Sequence, residues 1–477
     1  MRYWITGGTA VNGNGSFPAD VLVEDGKIRA LGEREEIAAL CGEDLSGGRP
    51  RAGAAGPDQG DFQIIDASGC LVFPGFIDAH THFDLHVAGT VTADDFATGT
   101  RAAVRGGTTT IVDFATQYPG ESLAEGLANW REKAEGGCSC DYGFHMSITE
   151  WTPEVSREID AMMNAGVTSF KLYMTYDTQV DDKTIFQILR RLKEAGGITG
   201  VHCENSGMIA ALQEEARAAG RMGVESHGAT RPAAAEAEAV GRLLRLAQAA
   251  DAPVIVVHLT CREGLGEIRR ARARGQRVYA ETCPQYLLMD DSLYKLPGME
   301  GAKYVCAPPL RGKEDAACLW QALAAGEIQT ISTDHCSFTT AQKALGREDF
   351  TKIPGGMPGV ETRGVLIYTY WVDAGRIRLE DMCRLLAENP AKLYGMFPRK
   401  GILAPGSDAD IVIMRTGVSD MITAAGQLQN VDYAPFEGWK TTARVEQVLL
   451  RGIPVVKNGK VVQERHGIYV ARGRYSL

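Results

Sequence analysis

The sequence contains no apolar run long enough to span a bilayer and no signal-peptide pattern at its N-terminus. It also lacks long basic runs, and the formal net charge of the 477-residue chain is −10. These absences predict a protein that binds neither membranes nor nucleic acids.

The cysteines form no recognisable metal or disulfide motif. Eleven of them are dispersed without a C-x-x-C pair, and the nearest approach to one is Cys138-Ser139-Cys140. An odd, scattered set in a long chain without a signal pattern predicts free thiols, most of them buried, and a cytoplasmic location.

The residues that are present are those of an ordinary globular protein, with 44% hydrophobic and 23% charged side chains. A chain of this length can bury a large core and is expected to hold more than one domain.

Both ends of the chain have strand patterns. Before residue 70 these are Tyr3–Thr6, Ala19–Val23 and Lys27–Leu31, with a hairpin turn predicted around Asp25-Gly26. After residue 399 they are Ala409–Met414, Val445–Leu450 and Ile453–Val456, followed by a turn candidate at Asn458-Gly459. Residues 46–60 lack an apolar period and predict a surface loop. We expect one small β-sandwich domain built from residues 1–70 and 399–477.

The middle of the chain, residues 71–398, alternates strand and helix patterns eight times. The predicted strands are Leu71–Asp78, Thr108–Ala115, Gly143–Ile148, Ser169–Met174, Thr199–Cys203, Pro253–Leu259, Gln276–Glu281 and Gln329–Thr333. Amphipathic helices are predicted between them, including Lys183–Glu194, Arg262–Arg274 and Glu314–Ala325. Eight βα units predict an α/β fold with a (β/α)8 TIM-like catalytic barrel, and an open doubly wound sheet is the alternative.

Polar residues stand where the predicted barrel strands end, which is where such barrels build active sites. His80 and His82 close the first strand, and the alternation of side chains puts both on one face. His202 and His258 end the fifth and sixth strands, and Asp334 follows the eighth. Imidazole and carboxylate bind zinc and similar divalent ions, so these residues predict a metal site.

Lys171 defines the type of metal site. It lies in the fourth strand between Phe170 and Leu172, where a charged ammonium would be costly to bury. Desolvation and nearby metal ions favour the neutral amine, which can take up CO₂ and become a carbamate. A carboxylated Lys171 would end in two oxygens and could bridge two metals, whereas an outward-facing surface lysine is the alternative.

Short motifs lie along nearly the whole chain, at Gly75–His82, Asp94–Thr100, Gly106–Thr109, Phe170–Tyr176, Pro284–Leu287, Cys306–Arg311, Thr333–Cys336 and Pro358–Glu361. Through these motifs the sequence resembles the hydantoinase/dihydropyrimidinase family of the amidohydrolase superfamily. The resemblance implies two divalent metals, usually zinc, one held by His80, His82, Lys171 and Asp334 and the other by Lys171, His202 and His258.

The resemblance also implies an activity, the opening of a cyclic ureide to an N-carbamoyl amino acid. A hydroxide bridging the metals would be the nucleophile. Asp334 would accept its proton and pass it to the departing nitrogen, and Tyr176 would hydrogen-bond the developing oxyanion. A homo-oligomer, either a tetramer or a dimer, is expected.

The sequence departs from the family at the predicted substrate pocket. Ala307 stands where the family usually has Ser and Gly355 where it usually has Asn, although the family holds the ring there largely through main-chain groups. The ring substituent is expected to face Phe83, Leu85, Val87, Tyr173 and Met174, an apolar lining that favours apolar or aromatic groups over carboxylates. His86 is expected to be an exposed loop residue rather than a pocket donor.

Other functions compete with this interpretation. Dihydroorotases use an arginine just after the His-x-His, whereas Phe83 and Asp84 follow His82 here. The Cys306–Arg311 and Pro358–Glu361 segments disfavour an allantoinase, and a mononuclear deaminase would not need Lys171. A non-catalytic dihydropyrimidinase-like scaffold, which has lost metal ligands, is disfavoured because all six predicted ligands are present.

Overall fold

A computed structural model describes residues 2–42 and 62–477, so the predicted loop at residues 46–60 lies outside the described residues. The strands are β1 (Arg2–Asn12), β2 (Gly15–Glu24), β3 (Lys27–Gly32), β4 (Phe62–Asp66), β5 (Cys70–Pro74), β6 (Phe76–Thr81), β7 (His86–Val87), β8 (Thr90–Val91), β9 (Thr108–Thr116), β10 (Asp141–Ser147), β11 (Ser169–Tyr173), β12 (Ile198–His202), β13 (Val254–Val256), β14 (Val278–Thr282), β15 (Thr330–Ile331), β16 (Ile411–Met421), β17 (Lys440–Leu450), β18 (Ile453–Lys457) and β19 (Lys460–Val461).

The α-helices are α1 (Arg34–Cys41), α2 (Phe96–Arg105), α3 (Leu123–Ala134), α4 (Pro153–Asn164), α5 (Asp182–Ala195), α6 (Ser206–Ala218), α7 (Ser226–Ala229), α8 (Ala233–Ala250), α9 (Arg262–Ala273), α10 (Pro284–Leu288), α11 (Lys313–Ala324), α12 (Thr340–Lys343), α13 (Arg363–Ile367), α14 (Leu379–Cys383) and α15 (Asn389–Leu393). A π-helical turn at Tyr368–Val372 follows α13, and another at Arg384–Glu388 joins α14 to α15.

Strands from both ends of the chain form one mixed sheet, in the order β19-β18-β17-β16-β5-β1-β2-β3, with β4 beside β1. The hairpin prediction around Asp25-Gly26 is confirmed, because both residues have positive φ between β2 and β3, as a type I′ turn requires. Asn458 and Gly459 also have positive φ, and they form the turn between β18 and β19.

Eight parallel strands form a nearly closed barrel, in the order β15-β14-β13-β12-β11-β10-β9-β6. An isolated bridge joins Thr81 at the end of β6 to His335, four residues after β15. Helices lie between the strands along the chain. In α5, for example, Ile185, Ile188, Leu189 and Leu192 are buried at helical spacing, which packs one face against the barrel. The predicted α/β barrel fold is confirmed.

The prediction of the first barrel strand, Leu71–Asp78, is wrong in one respect, because the structure has two strands there. β5 pairs with β16 in the mixed sheet, and β6 pairs with β9 in the barrel. A Cβ on Gly75, between them, would lie 2.0 Å from Oγ1 of Thr109, so only glycine fits this change of sheet. A continuous apolar run carries no sign of such a change. The domain boundaries at residues 70/71 and 398/399 stay a prediction.

The last residues of the chain pack against the barrel rather than the mixed sheet. Val470 N donates to the carbonyl of Tyr142 at 2.7 Å, and Nη1 of Arg472 donates to Oγ of Ser169 at 2.7 Å. These contacts lie towards the N-terminal ends of β10 and β11, so the tail covers the end of the barrel opposite the predicted site.

No disulfide joins cysteines within residues 2–42 and 62–477, and every cysteine except the half-buried Cys318 is buried, which confirms the prediction of mostly buried thiols. In residues 2–42 and 62–477, no helix combines the length and the apolar character needed to cross a membrane.

Candidate active site

The barrel brings the six predicted metal ligands together at the C-terminal ends of its strands. Oδ1 of Asp334 lies 3.3 Å from Nε2 of His80 and 3.2 Å from Nε2 of His82. Nζ of Lys171 lies 3.4 Å from Nε2 of His80. The ring centroid of His258 is 5.3 Å from that of His80 and 4.5 Å from that of His202, so the six side chains form one contiguous cluster.

Burial controls the protonation of this cluster. It lowers the pKa of His80 and His258 well below the usual value, so both imidazoles are neutral and keep a lone pair. Lys171 is only 1% exposed, and burial lowers the pKa of its amine to about 8, against the opposing effect of Asp334. The amine is therefore much easier to deprotonate than that of a surface lysine.

Two buried carboxylates orient the histidines. Oε1 of Glu281 lies 2.6 Å from Nδ1 of His80, and Nε2 of His80 faces Asp334. Burial raises the pKa of Glu281 to about 8, and when its carboxyl is ionised the pair places the imidazole proton on Nδ1. Oε2 of Glu204 lies 2.7 Å from Nε2 of His202 and 2.5 Å from Nη1 of Arg231. Sequence reasoning missed both carboxylates, although a glutamate at the end of a buried strand is a signal that could have identified Glu281.

This donor set fits divalent metal ions. Each of His80, His82 and Asp334 offers a ligand atom, and these atoms lie within 4.8 Å of one another. Nδ1 of His258 is buried and has no hydrogen-bond partner in the described parts of the chain. Neutral imidazoles backed by carboxylates are the arrangement that metal-ligating histidines adopt.

The segment after Asp334 is held rigidly. Asp334 has a φ of 51°, in the left-handed region, and the next residue, His335, is fully buried. Nε2 of His335 donates to Oδ2 of Asp94 at 3.0 Å, and Nδ1 accepts from the main-chain N–H of Gly359 at 3.0 Å. The pairing fixes the carboxylate of Asp334 near the histidines at a backbone conformation that would otherwise be strained.

Tyr176 lies at the mouth of the cluster. Its side chain is exposed, and its ring centroid lies 5.0 Å from that of His202. The guanidinium carbon of Arg231 is 5.5 Å from the ring. Desolvation by the surrounding protein raises the pKa of the phenol well above its usual value, so Tyr176 keeps its proton and can donate a hydrogen bond.

The predicted pocket residues differ in their exposure to solvent. Ala307 is half-buried and Gly355 is exposed, and a Cβ built on Gly355 would lie 3.7 Å from the Cβ of Ala307, so the two positions are neighbours. Leu85 and Tyr173 are half-buried, and His86 and Val87 are exposed.

Phe83 and Met174 do not line an open pocket. Phe83 is fully buried, with its ring 5.9 Å from that of Phe96 and 5.3 Å from that of His335, and Met174 is 3% exposed. The alternation that turns His80 and His82 to the metal side turns Phe83 to the opposite side, into the core.

Comparisons with known proteins agree with this geometry. The sequence model of the amidohydrolase family matches residues 71–462. A D-hydantoinase from Streptomyces coelicolor is 44% identical over 99% of this chain and 98% of its own length, and one from Geobacillus stearothermophilus is 42% identical over 100% of this chain and 97% of its own length.

Solved structures give the same result. The crystal structure of dihydropyrimidinase from Brevibacillus agri has a TM-score of 0.93 at 42% identity and covers 100% of both chains. An L-hydantoinase from Arthrobacter aurescens has a TM-score of 0.85 at 29% identity, covering 98% of this chain and 99% of its own. From the cluster geometry and these full-length similarities we conclude that the chain belongs to the amidohydrolase family and, within it, to the hydantoinase/dihydropyrimidinase group.

Proposed function

We propose that this protein hydrolyses the cyclic amide bond of hydantoins or dihydropyrimidines to give N-carbamoyl amino acids. The observation that carries the proposal is the buried Lys171 beside His80 and Asp334, in a barrel whose full-length relatives are hydantoinases.

Asp334 and Tyr176 have different roles in the proposed reaction. Asp334 can accept a proton from the attacking water and return it to the ring nitrogen as the C–N bond breaks and the new C–O bond forms. Tyr176, which keeps its phenolic proton, donates to the carbonyl oxygen as negative charge develops on it. The ring opens to a carboxylate and a carbamoylated amine.

Two divalent metals, with zinc proposed as their identity, complete the site. His80, His82, Lys171 and Asp334 would hold one, and Lys171, His202 and His258 the other, with Lys171 carboxylated by CO₂. Such ions lower the pKa of bound water and polarise a carbonyl. Support comes from the neutral imidazoles, the unpartnered Nδ1 of His258 and the lowered pKa of Lys171.

The metal proposal has a direct test. Purified protein should contain about two divalent ions per chain, and intact-mass spectrometry under non-denaturing conditions should show one added CO₂. Lys171→Ala should lose at least one ion, and short carboxylic acids should restore part of the activity. An unmodified Lys171 in the fully metal-loaded protein would contradict the proposal.

The substrate proposal rests on the residues predicted to surround the ring. Main-chain groups at Ala307 and Gly355 would hold the N–H and C=O groups of the ring, and Leu85 and Tyr173, both half-buried, would lie near its substituent. Asp84 follows the His-x-His motif, so a substituent carboxylate would meet a negative charge rather than an arginine.

One panel of substrates separates the competing activities. Hydantoin, 5-phenylhydantoin, dihydrouracil, allantoin and dihydroorotate are compared with one protein preparation, with and without a chelator. Hydantoins or dihydrouracil should be opened fastest, and the chelator should abolish turnover until metal is returned. Faster opening of allantoin or dihydroorotate, or no turnover by fully metal-loaded protein, would reject the proposal.

We further propose a preference for the D-enantiomer of 5-substituted hydantoins. Relatives named D-hydantoinase reach 44% identity, whereas the L-hydantoinase structure is 29% identical. Chiral chromatography of the product from racemic 5-isopropylhydantoin should show the D-product in excess, and an excess of L-product would reject this preference.

Assembly and location are also proposals. The family resemblance supports a homo-oligomer, a dimer or a tetramer, which light scattering of the purified protein can measure. The free thiols support a cytoplasmic location, because structural disulfides are typical of oxidising compartments.

A further inference from the structure

Two neighbouring loops present free main-chain groups, and Met357, which follows one of them, pairs with His335 next to the proposed ligand Asp334. Val305–Pro308 and Pro354–Gly356 are joined by a hydrogen bond from Gly356 N to the carbonyl of Val305, 2.9 Å long. Across the described ranges, the N–H and C=O of Ala307 and of Gly355 make no hydrogen bond to the protein. They are therefore available to a ligand.

Every other carbonyl of these two loops is occupied. Val305, Pro354 and Gly356 accept from Nζ of Lys343, Cys306 accepts from Nε2 of His227 at 2.8 Å, and Pro308 accepts from the hydroxyl of Tyr286 at 2.9 Å. Buried side chains thus hold each loop before and after the free main-chain groups of Ala307 and Gly355. One of these side chains contacts both loops.

That side chain is Lys343, the last residue of α12. It is 1% exposed, and its Nζ donates to the carbonyls of Val305 at 2.8 Å, Pro354 at 2.7 Å and Gly356 at 2.7 Å. An ammonium has three N–H bonds, and all three are used. In the part of the chain that the structure describes, Nζ of Lys343 has these three carbonyls and the ring of Phe338, whose centroid is 5.5 Å away, as its neighbours, and no carboxylate forms an ion pair with it. Its place in the structure is therefore set by the main chain of the two loops.

We propose that Lys343 is a positioning residue that sets the separation of the free main-chain groups at Ala307 and Gly355, and thereby determines how tightly the cyclic ureide ring is bound. This inference rests on the function proposed above and adds a residue that contacts neither the ring nor the metals. Lys343 acts on the ring only through the two loops.

The kinetic consequence is specific. Contacts to the unreacting part of the ring are present both in the bound substrate and in the transition state, so weakening them raises KM and leaves kcat nearly unchanged. Loss of a metal ligand or of the proton acceptor would instead lower kcat.

The test compares Lys343→Met and Lys343→Gln with the wild-type holoenzyme on unsubstituted hydantoin and on dihydrouracil. Methionine supplies no donor and glutamine supplies two. We expect KM to rise at least tenfold in Lys343→Met and by a smaller factor in Lys343→Gln, with kcat within about threefold and the metal content unchanged. If Lys343→Met does not fold, the rise in KM of Lys343→Gln decides the question.

Lys400→Met is the matched control, because Lys400 is also a buried lysine, 1% exposed, but pairs with Asp141 near the opposite end of the barrel. Its KM should stay within about twofold of wild type even though its thermal stability falls. An unchanged KM in folded Lys343 variants, or an equal rise in Lys400→Met, would overturn the inference. If the wild-type protein opens neither ring, the proposed function fails and this inference fails with it. If the wild-type protein turns over both rings and the KM of the Lys343 variants is unchanged, only this inference is rejected.

Discussion

At the scale of single residues, Asp334 is the group on which the proposed chemistry depends. Its Oδ1 lies within 3.3 Å of two histidine nitrogens, and the neighbouring His335 fixes its backbone. The carboxylate can therefore act both as a ligand and as a proton carrier.

Asp334→Asn separates these two functions. The amide oxygen can still bind a metal, but the side chain no longer carries a proton, so we expect near-normal metal content and a fall in kcat of roughly a thousandfold or more. Metal analysis and initial rates on the same sample measure both quantities. A kcat within about tenfold of wild type would mean that the base is another group.

Glu281 is a second residue whose effect can be measured. Because it accepts the Nδ1 proton of His80, its removal should weaken metal binding by roughly 10- to 100-fold, as for other carboxylates behind metal-ligating histidines. Competition with a chelator of known affinity measures the change in Glu281→Ala. Glu281→Gln, which keeps an acceptor oxygen, is the control and should lose less.

The six proposed ligands could be predicted from the sequence, because histidine, lysine and aspartate in or just after predicted barrel strands indicate a metal site without knowledge of their spatial neighbours. Sequence reasoning did not find Glu281, Glu204 or Lys343. The partners of Glu281 and Lys343 are distant in sequence and are brought to them only by the fold. Glu204 lies two residues from His202, but its second partner, Arg231, is also distant. The prediction that Phe83 lines the pocket was wrong, because side chains alternate along a strand: if His80 and His82 face the metal side, Phe83 faces the opposite side.

At the scale of elements, the short helix α12 connects the loops around the proposed site. Lys343 holds the ring-side loops, and the preceding Gln342 donates through Nε2 to the carbonyl of Val91 at 2.6 Å and to Oγ1 of Thr90 at 2.9 Å. Both acceptors belong to β8, which pairs with β7 in the hairpin that follows the His-x-His motif. The four-residue helix α12 thus contacts both the loops proposed to hold the substrate ring and the hairpin proposed to lie near the ring substituent.

Gln342→Glu should loosen the hairpin alone. Glutamate keeps the oxygen that caps α12 by accepting from Thr339 N, but it places an acceptor against the carbonyl of Val91. We expect KM for 5-phenylhydantoin to rise severalfold while KM for unsubstituted hydantoin stays within about twofold. Gln321→Glu, which adds the same charge at an exposed position of α11, controls for charge, and equal effects on both substrates would contradict the prediction.

The elements themselves were largely predictable. The predicted helix Arg262–Arg274 is observed as Arg262–Ala273, and the predicted strand Thr108–Ala115 is observed as Thr108–Thr116. Periodicity identifies such elements because each has one consistently buried face. The division of Leu71–Asp78 between two sheets was not predictable, because both halves are buried and the pattern does not change between them.

At the scale of the whole molecule, a buried charge network joins the barrel to the mixed sheet. Nζ of Lys400 lies 2.8 Å from Asp141 at the start of β10, 3.3 Å from Asp408, and also pairs with Asp410 just before β16. The attraction of the three carboxylates raises the pKa of Lys400, so the lysine stays charged despite its burial.

Removing this lysine should cost much of the stability of the protein. Lys400→Met leaves three buried carboxylates without their central cation, and we expect a loss of about 3–5 kcal/mol in the free energy of unfolding. Lys193→Met is the control, because the ion pair of Lys193 with Asp251 is exposed to solvent and should contribute little to the free energy of unfolding. Denaturant titrations of both variants measure the difference, and equal effects would contradict the prediction.

The mixed sheet has a consequence for the synthesis of the protein. Phe73 in β5 pairs with Val412 in β16, so β5 lacks this neighbour until the ribosome has added several hundred further residues. At usual elongation rates that interval is on the order of tens of seconds. During this interval the nascent chain exposes an apolar strand edge that has no partner. Chaperones bind such edges, and aggregation starts from them. The yield of soluble enzyme in a recombinant host should therefore depend on translation speed and chaperone supply more than on the stability of the finished barrel.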